Sequence, residues 1–174
     1  MVASATAFAG DSDGLKAILK AKTYNEANQL LQQNLGSLAD NAEKAKAYNH
    51  VLDLVMEKVN AETKIITENQ VALQMKQQVK PYDTIALANA ICQSIELASE
   101  CNKYDQLPNA KGKVAPKFAE KNAQRVWANR FHLVNIGQEE ARKGNDAGVL
   151  KYWGTFVDSR TDPLFDAMDK NQEK

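Results

Sequence analysis

Residues that interrupt helices are scarce in this chain. Its 174 residues include 4 prolines and 8 glycines, and neither residue type occurs between positions 37 and 80. Strands and their turns are usually bounded by glycine, proline or Asn-Gly pairs. The alanine, leucine, lysine, glutamate and glutamine that fill this stretch instead lose little entropy in a helix. The sequence therefore predicts an all-α fold.

The chain also lacks an excess of charge of either sign, since 22 basic residues balance 22 acidic ones. A nucleic acid or an anionic membrane surface favours a basic protein, so we expect neither as a partner. The densest basic stretch consists of Lys111, Lys113, Lys117 and Lys121 and carries no interleaved base-stacking aromatics, which indicates a solvated loop. No run approaches the ~18 apolar residues of a membrane span.

Cysteine and histidine, two of each, are equally rare. Cys92 and Cys101 on one straight helix would lie ~13.5 Å apart along its axis, whereas a disulfide needs Cα atoms within about 7 Å. We therefore expect buried free thiols. His50 and His132 lack the ligand spacing of a zinc site, and no P-loop, nucleophile elbow or dinucleotide fingerprint occurs. The sequence predicts no metal, no cofactor and no enzyme active site.

The first nine residues are small and apolar, and they end in Ala7, Phe8 and Ala9 before a polar segment. Small residues at positions 7 and 9 suit a signal peptidase. We expect residues 1–9 to be the remnant of a signal peptide cleaved after Ala9, and residues 10–174 to form one helical domain that is exported to the periplasm or envelope. An alanine-rich tail on a cytosolic protein is the open alternative.

The segment 37–80 is too long for one ordinary helix, since it would extend about 66 Å at ~1.5 Å per residue. A coiled coil needs apolar residues at both seam positions, but Glu62, Asn69 and Lys76 make the second half of the seam polar. The apolar stripe up to Val59 and the stripe after it also differ in phase. The pattern predicts two packed helices with a bend or break near residues 60–63.

Capping residues mark where the other helices begin. Capping boxes occur at residues 23–26 and 40–43, where Thr or Asp is followed three positions later by Glu. Further caps are expected at Asp83 or Thr84, at Asn145 after the terminating Gly144, and at Asp162 before Pro163. A long helix is expected at residues 118–143. The helix after Asp162 has no evident partner, so the chain is interpreted as the N-terminal portion of a longer protein.

Aromatic side chains cluster in the last third of the chain, where they supply the largest contact area. Helical spacing predicts that Trp127, Trp153 and Phe156 lie mostly in the core. Loss of the Trp153 side chain should then cost about 3 to 5 kcal/mol. Tyr152 lies at the edge of its stripe, so we expect it to be partly exposed and name it as the candidate partner-binding residue.

Two segments, 22–27 and 137–163, are similar to the turns and helix starts of tetratricopeptide repeats. Together with residues 80–84, 112–114 and 117–118, they make the chain resemble the exported tetratricopeptide-like proteins of Bacteroidetes bacteria. The resemblance covers roughly residues 15–168 and carries no agreed active-site residues. It implies antiparallel hairpins stacked as a degenerate array with the character of a right-handed solenoid.

These patterns favour a non-enzymatic function. The first hypothesis is a protein-protein interaction or scaffold module of the cell envelope, which binds a protein or peptide on stacked helical pairs. The alternative is an oligomeric helical chaperone or structural protein that associates through residues 37–80. The sequence leaves the identity of the partner, the face that binds it and the oligomeric state open.

Overall fold

The computed structural model describes residues 10–170, and all regular secondary structure in that range is helical. The prediction of an all-α fold is confirmed. The signal peptide expected at residues 1–9 lies outside the described residues. The helices run as follows: α1 Asp13–Lys20, α2 Tyr24–Asn34, α3 Asn41–Gln74, α4 Thr84–Asp105, α5 Ala119–Trp127, α6 His132–Arg142 and α7 Asp146–Ser159, with 3-10 turns at Leu35–Ser37, Ala128–Phe131 and Pro163–Phe165.

The predicted caps begin the helices. The Thr23 side chain accepts a hydrogen bond from the Glu26 backbone amide at the start of α2. Asp40 does the same for Glu43 at 2.9 Å, and Asp83 for Ala86 at 2.8 Å. Each bond satisfies one of the amide groups that the first turn of a helix leaves without an intrahelical partner. The starts of α2, α3 and α4 are therefore fixed by local side-chain chemistry.

Helices α3 and α4 form the antiparallel pair at the centre of the molecule. Near one end of the pair the Cys101 thiol donates to the Ala45 carbonyl oxygen, and near the other the Asp83 amide donates to Glu62 at 3.3 Å. Their facing sides carry much of the core, including Val51, Leu52, Val59, Leu87, Ile91 and Ala98, all fully buried. Helices α1 and α2 pack on one side of this pair, and α5, α6 and α7 pack on the other.

The predicted break in residues 60–63 is wrong, because α3 continues without interruption to Gln74. No glycine or proline is present to break it. The hydroxyls of Thr63 and Thr67 donate to the carbonyl oxygens four residues earlier, at 2.9 and 3.0 Å, and stay within the helix. The polar seam residues Glu62 and Asn69 are half-buried and bond the segment that returns from α3. The fully buried residues of this long helix end at Val59.

The end of α3 extends beyond α4 and forms, with the segment that returns from it, what we call the arm, residues 63–83. The return segment is held by Asn69, whose side chain accepts from the Lys80 amide at 2.7 Å and donates to the Lys80 carbonyl at 2.8 Å. The Lys80 ammonium reaches Glu68 at 2.6 Å. The apolar stripe expected to pack here is largely exposed, notably at Leu73, Met75 and Val79.

The single helix expected over residues 118–143 is divided into two helices in the structure. It consists of α5 and α6 joined by the 3-10 turn Ala128–Phe131. This turn directs the Arg130 side chain into the core, where it is fully buried. Asp162 does act as a cap, accepting from the Leu164 amide at 2.8 Å, but it begins only the 3-10 turn Pro163–Phe165.

Candidate functional site

The hairpin of α6 and α7 is closed by a tight turn. Gly144 has φ of 72°, a left-handed conformation that suits glycine. Asn145 then caps α7 by accepting from the Gly148 amide at 3.2 Å. Both features were predicted from the sequence. Between them the helices are tied by the buried Glu140, which accepts from the Lys143 ammonium at 2.9 Å and from the Asn145 side chain.

Charge and hydrogen bonding keep Glu140 ionised. The bonds from Lys143 and from Asn145 hold the pKa of its carboxyl below the usual value. The carboxylate therefore remains an acceptor at neutral pH. It fixes the turn that brings α7 alongside α6.

Helices α6 and α7 lie close together at Gly137 and Trp153. A Cβ on Gly137 would lie 2.3 Å from Trp153 Cδ1, so only glycine leaves room for the indole. The indole N–H donates to the Val134 carbonyl oxygen at 2.9 Å. The indole is thus held against α6 while part of it remains exposed.

The expected exposures of Tyr152 and Trp153 are reversed. Trp153, predicted to be core, is 39% exposed, whereas Tyr152, predicted to be partly exposed, is 4% exposed. The two side chains point about 100° apart on α7, so Trp153 lies against α6 over Gly137 while Tyr152 lies in the core. The partner-binding role assigned to Tyr152 stays a prediction, and the exposed surface beside it belongs to Trp153.

Exposed apolar side chains surround Trp153 and form what we call the α7 face. Leu150 is 76% exposed and Val157 is 62% exposed. With Trp153 they follow the spacing i, i+3 and i+7, so they lie on one side of α7. Val134 continues the surface onto α6. Exposed charged residues flank this apolar strip along α7, with Asp146 four residues before Leu150 and Asp158 directly after Val157.

Arg130 is the buried residue that sequence reasoning missed. Its guanidinium lies against the rings of Trp127, Phe156 and Phe165, with centroids 4.2 to 5.2 Å away. It donates to the Ser159 hydroxyl at 2.8 Å and to the Phe156 carbonyl at 2.7 Å. These contacts join α5, α7 and the final 3-10 turn, and they support the α7 face from behind. No sequence signal distinguishes this arginine from an exposed one.

The residues considered for metal or thiol chemistry lie apart from one another. His50 Nε2 is 3.1 Å from the Ala21 carbonyl oxygen, and burial lowers the pKa of His132. The two cysteines are free, with Cys101 buried and Cys92 half-buried. Within residues 10–170 no three His, Cys, Asp or Glu side chains converge as metal ligands.

A cleft lies at the C-terminal end of α4. It has a volume of about 640 Å³ and is formed between residues 10–11, the start of α3 and the loop 106–118. Three lysines of the basic stretch, Lys111, Lys113 and Lys117, line it. The loop that was expected to be merely solvated is therefore one wall of a cleft.

The comparisons with known proteins return no relative. No protein-family model matches the chain, no curated protein matches it, and no solved structure matches it. Among the helices of the described region, none is both long enough and apolar enough to cross a membrane.

Proposed function

We propose that this protein is a non-enzymatic interaction or scaffold module of the bacterial cell envelope, built from antiparallel hairpins stacked in a tetratricopeptide-like manner. The close approach of α6 and α7 at Gly137, through a small residue, supports that kind of packing. Export of the protein is supported by the small apolar residues before position 10, which resemble the end of a signal peptide.

The exposure of the α7 face is the main support for an interaction function. Most soluble proteins expose apolar side chains singly, and a contiguous exposed strip marks a docking surface. Here Leu150, Trp153 and Val157 form such a strip on one side of one helix, with Val134 beside it. Burying them would remove apolar area from water at about 25 cal/mol per Å².

The occupant we propose is an amphipathic helix of another polypeptide. The strip spans about 10 Å along α7 at ~1.5 Å per residue, which matches two turns of a second helix. Trp153 lies at its centre, where a rigid aromatic contributes most to binding. The charged residues around the strip, among them Asp146 and Asp158, provide the polar rim usual at such interfaces.

Co-purification from the cells that produce the protein tests this proposal. The tagged full-length chain should recover a discrete polypeptide in a fixed ratio, and the double substitution Leu150→Glu and Val157→Glu should abolish recovery. Both side chains are already exposed, so thermal melting should be unchanged. Gln124→Glu with Lys58→Glu, exposed positions on α5 and α3, is the matched control. Recovery that survives the α7 substitutions contradicts the proposal.

A second function is favoured by the arm, which exposes Val71, Leu73, Met75 and Val79 together. This is the alternative in which copies of the chain associate as an oligomeric chaperone or structural protein. Leu52 and Val59 are fully buried, so they cannot form the association surface. Light scattering after size exclusion tests the alternative, since it requires an oligomer that Leu73→Glu with Met75→Glu converts to a monomer.

A further inference from the structure

Hydrogen bonds to backbone amides anchor the loop 106–118, which lines the cleft. The Asp105 carboxylate accepts hydrogen bonds from the backbone amides of Lys117, Phe118 and Ala119, the shortest of them 2.7 Å. Asp105 is only 7% exposed. One buried carboxylate thus anchors the end of the loop where it enters α5.

The other end of the loop is anchored to the start of α3. Asp40 Oδ2 accepts from the Ala110 amide at 3.0 Å, and the Asn41 side chain donates to the Pro108 carbonyl at 2.9 Å. Gly112, with φ of 69°, makes the turn between the two anchors. The loop is therefore anchored at both ends and forms one wall of the cleft.

The carboxylates that line the cleft are engaged within the protein. Asp11 accepts from the Lys46 ammonium at 2.6 Å. Glu43 accepts from the Ser12 amide and hydroxyl, both at 2.6 Å, and from the Ala39 amide at 2.8 Å. With Asp40 and Asp105 committed to backbone amides, the acceptors of the cleft already have donors.

Two of the lysines that line the cleft, Lys113 and Lys117, are exposed, and their ammonium groups make no ion pair or hydrogen bond within the described range 10–170. Each ammonium offers three donors and no acceptor. Apolar surface from Tyr104, Leu107 and Phe118 lies beside them. A ligand that fits has carboxylates for the lysines and apolar side chains for the rings.

We propose that this cleft binds an acidic polypeptide segment that carries apolar side chains between its carboxylates. The volume of about 640 Å³ suits several residues rather than one small anion. The apolar wall of Tyr104, Leu107 and Phe118 favours a peptide with apolar side chains, which the sugar-phosphate backbone of a nucleic acid does not offer. The lysines of the basic stretch would then bind the carboxylates of this peptide, a role that their position in a loop did not indicate.

The cleft is separate from the α7 face. Helix α7 meets α4 near Asn89, which accepts from the Lys151 ammonium at 2.6 Å, whereas the cleft meets α4 at Asp105. These two positions lie about 24 Å apart along the axis of α4 at ~1.5 Å per residue. The inference thus goes beyond the proposed function, and the two fail independently, because substitutions at Leu150 and Val157 leave the cleft intact.

Fluorescence anisotropy with a labelled synthetic peptide tests the inference. The probe is a short peptide that repeats Glu-Glu-Leu-Phe, and its neutral counterpart repeats Gln-Gln-Leu-Phe. At low ionic strength the full chain should bind the acidic probe at least about tenfold more tightly than the neutral one, and added salt should weaken that binding.

Charge reversal at the cleft supplies the specific control. Lys113→Glu with Lys117→Glu should weaken binding of the acidic probe by about tenfold or more, and the milder Lys113→Gln with Lys117→Gln serves if the first variant does not fold. Lys58→Glu with Lys64→Glu, on α3 outside the cleft, should leave binding unchanged. Equal binding of both probes, insensitivity to the cleft substitutions, or tighter binding of a labelled oligouridylate would overturn the inference.

Discussion

The indole of Trp153 lies across Gly137 so closely that a single added carbon on Gly137 would overlap it, at 2.3 Å from Cδ1 and 2.4 Å from Nε1. The position of the Trp153 indole against α6 therefore requires glycine at position 137.

The first prediction concerns the sign of the Gly137→Ala substitution. In an exposed helix interior this change stabilises by about 1 kcal/mol through helix propensity, but overpacking against Trp153 costs about 1 to 3 kcal/mol. We expect Gly137→Ala to lower the free energy of unfolding in the wild-type chain and to raise it when Trp153 is also Ala. Denaturant melts of the four variants measure this cycle.

Tryptophan fluorescence provides a second measurement on the same variants. Gly137→Ala should displace the indole into water and shift the emission to longer wavelength, while Gly154→Ala should not, because nothing lies within 4 Å of a Cβ at Gly154. If Gly137→Ala changes the free energy of unfolding equally in the presence and absence of Trp153, the two residues do not interact as described.

The second prediction concerns Tyr48, whose ring stacks on Tyr104 with centroids 5.7 Å apart. Burial, followed by the nearby Glu100, raises the pKa of Tyr48 to about 12. The folded state therefore holds the phenolic proton more tightly than the unfolded state, whose pKa is about 10. This contribution to stability is complete below about pH 10 and is lost as the pH rises toward 12.

Tyr48→Phe removes that contribution while keeping the ring. We expect the free energy of unfolding to fall less steeply between about pH 10 and 12 in Tyr48→Phe than in the wild type. Urea melts at a series of pH values measure the two slopes. Parallel slopes would mean that Tyr48 titrates in the folded protein as it does in the unfolded chain.

The third prediction concerns the reactivity of the two thiols. Burial, with a contribution from the nearby Asp105, raises the pKa of Cys101 to about 12, and burial also raises the pKa of Cys92. Thiolate is the reactive form. In the folded protein, iodoacetamide should modify the half-buried Cys92 faster than the fully buried Cys101.

Variants with one cysteine each, Cys92→Ser and Cys101→Ala, allow the two rates to be followed by intact mass. Cys101 should react only on the timescale of unfolding, and denaturant should make the two rates similar. Comparable rates without denaturant would place Cys101 at the surface and refute the buried position beside Ala45.

The starts of α2, α3 and α7 could be predicted because their causes are local. Thr23, Asp40 and Asn145 each bond a backbone amide three residues ahead, which a sequence window shows directly. The turn at Gly144 is local in the same sense. All-helical structure followed from the shortage of proline and glycine.

The features that could not be predicted depend on distant residues. The position of Trp153 depends on Gly137, which lies on another helix and leaves room for the indole. The uninterrupted α3 reflects an arm whose return segment is held by Asn69, eleven residues before Lys80. The cleft depends on Asp105 bonding amides 12 to 14 residues later. No periodicity in the sequence encodes such pairings.

Site-specific photocrosslinking in the cells that produce the protein tests the central claim most directly. A photoreactive residue is placed at position 150 on the α7 face, at 73 on the arm, or at 124 on α5 as the exposed polar control. The proposed function predicts a discrete adduct with a different polypeptide from position 150 and none from position 124. No adduct at position 150, or adducts only between copies of this chain through position 73, would contradict it.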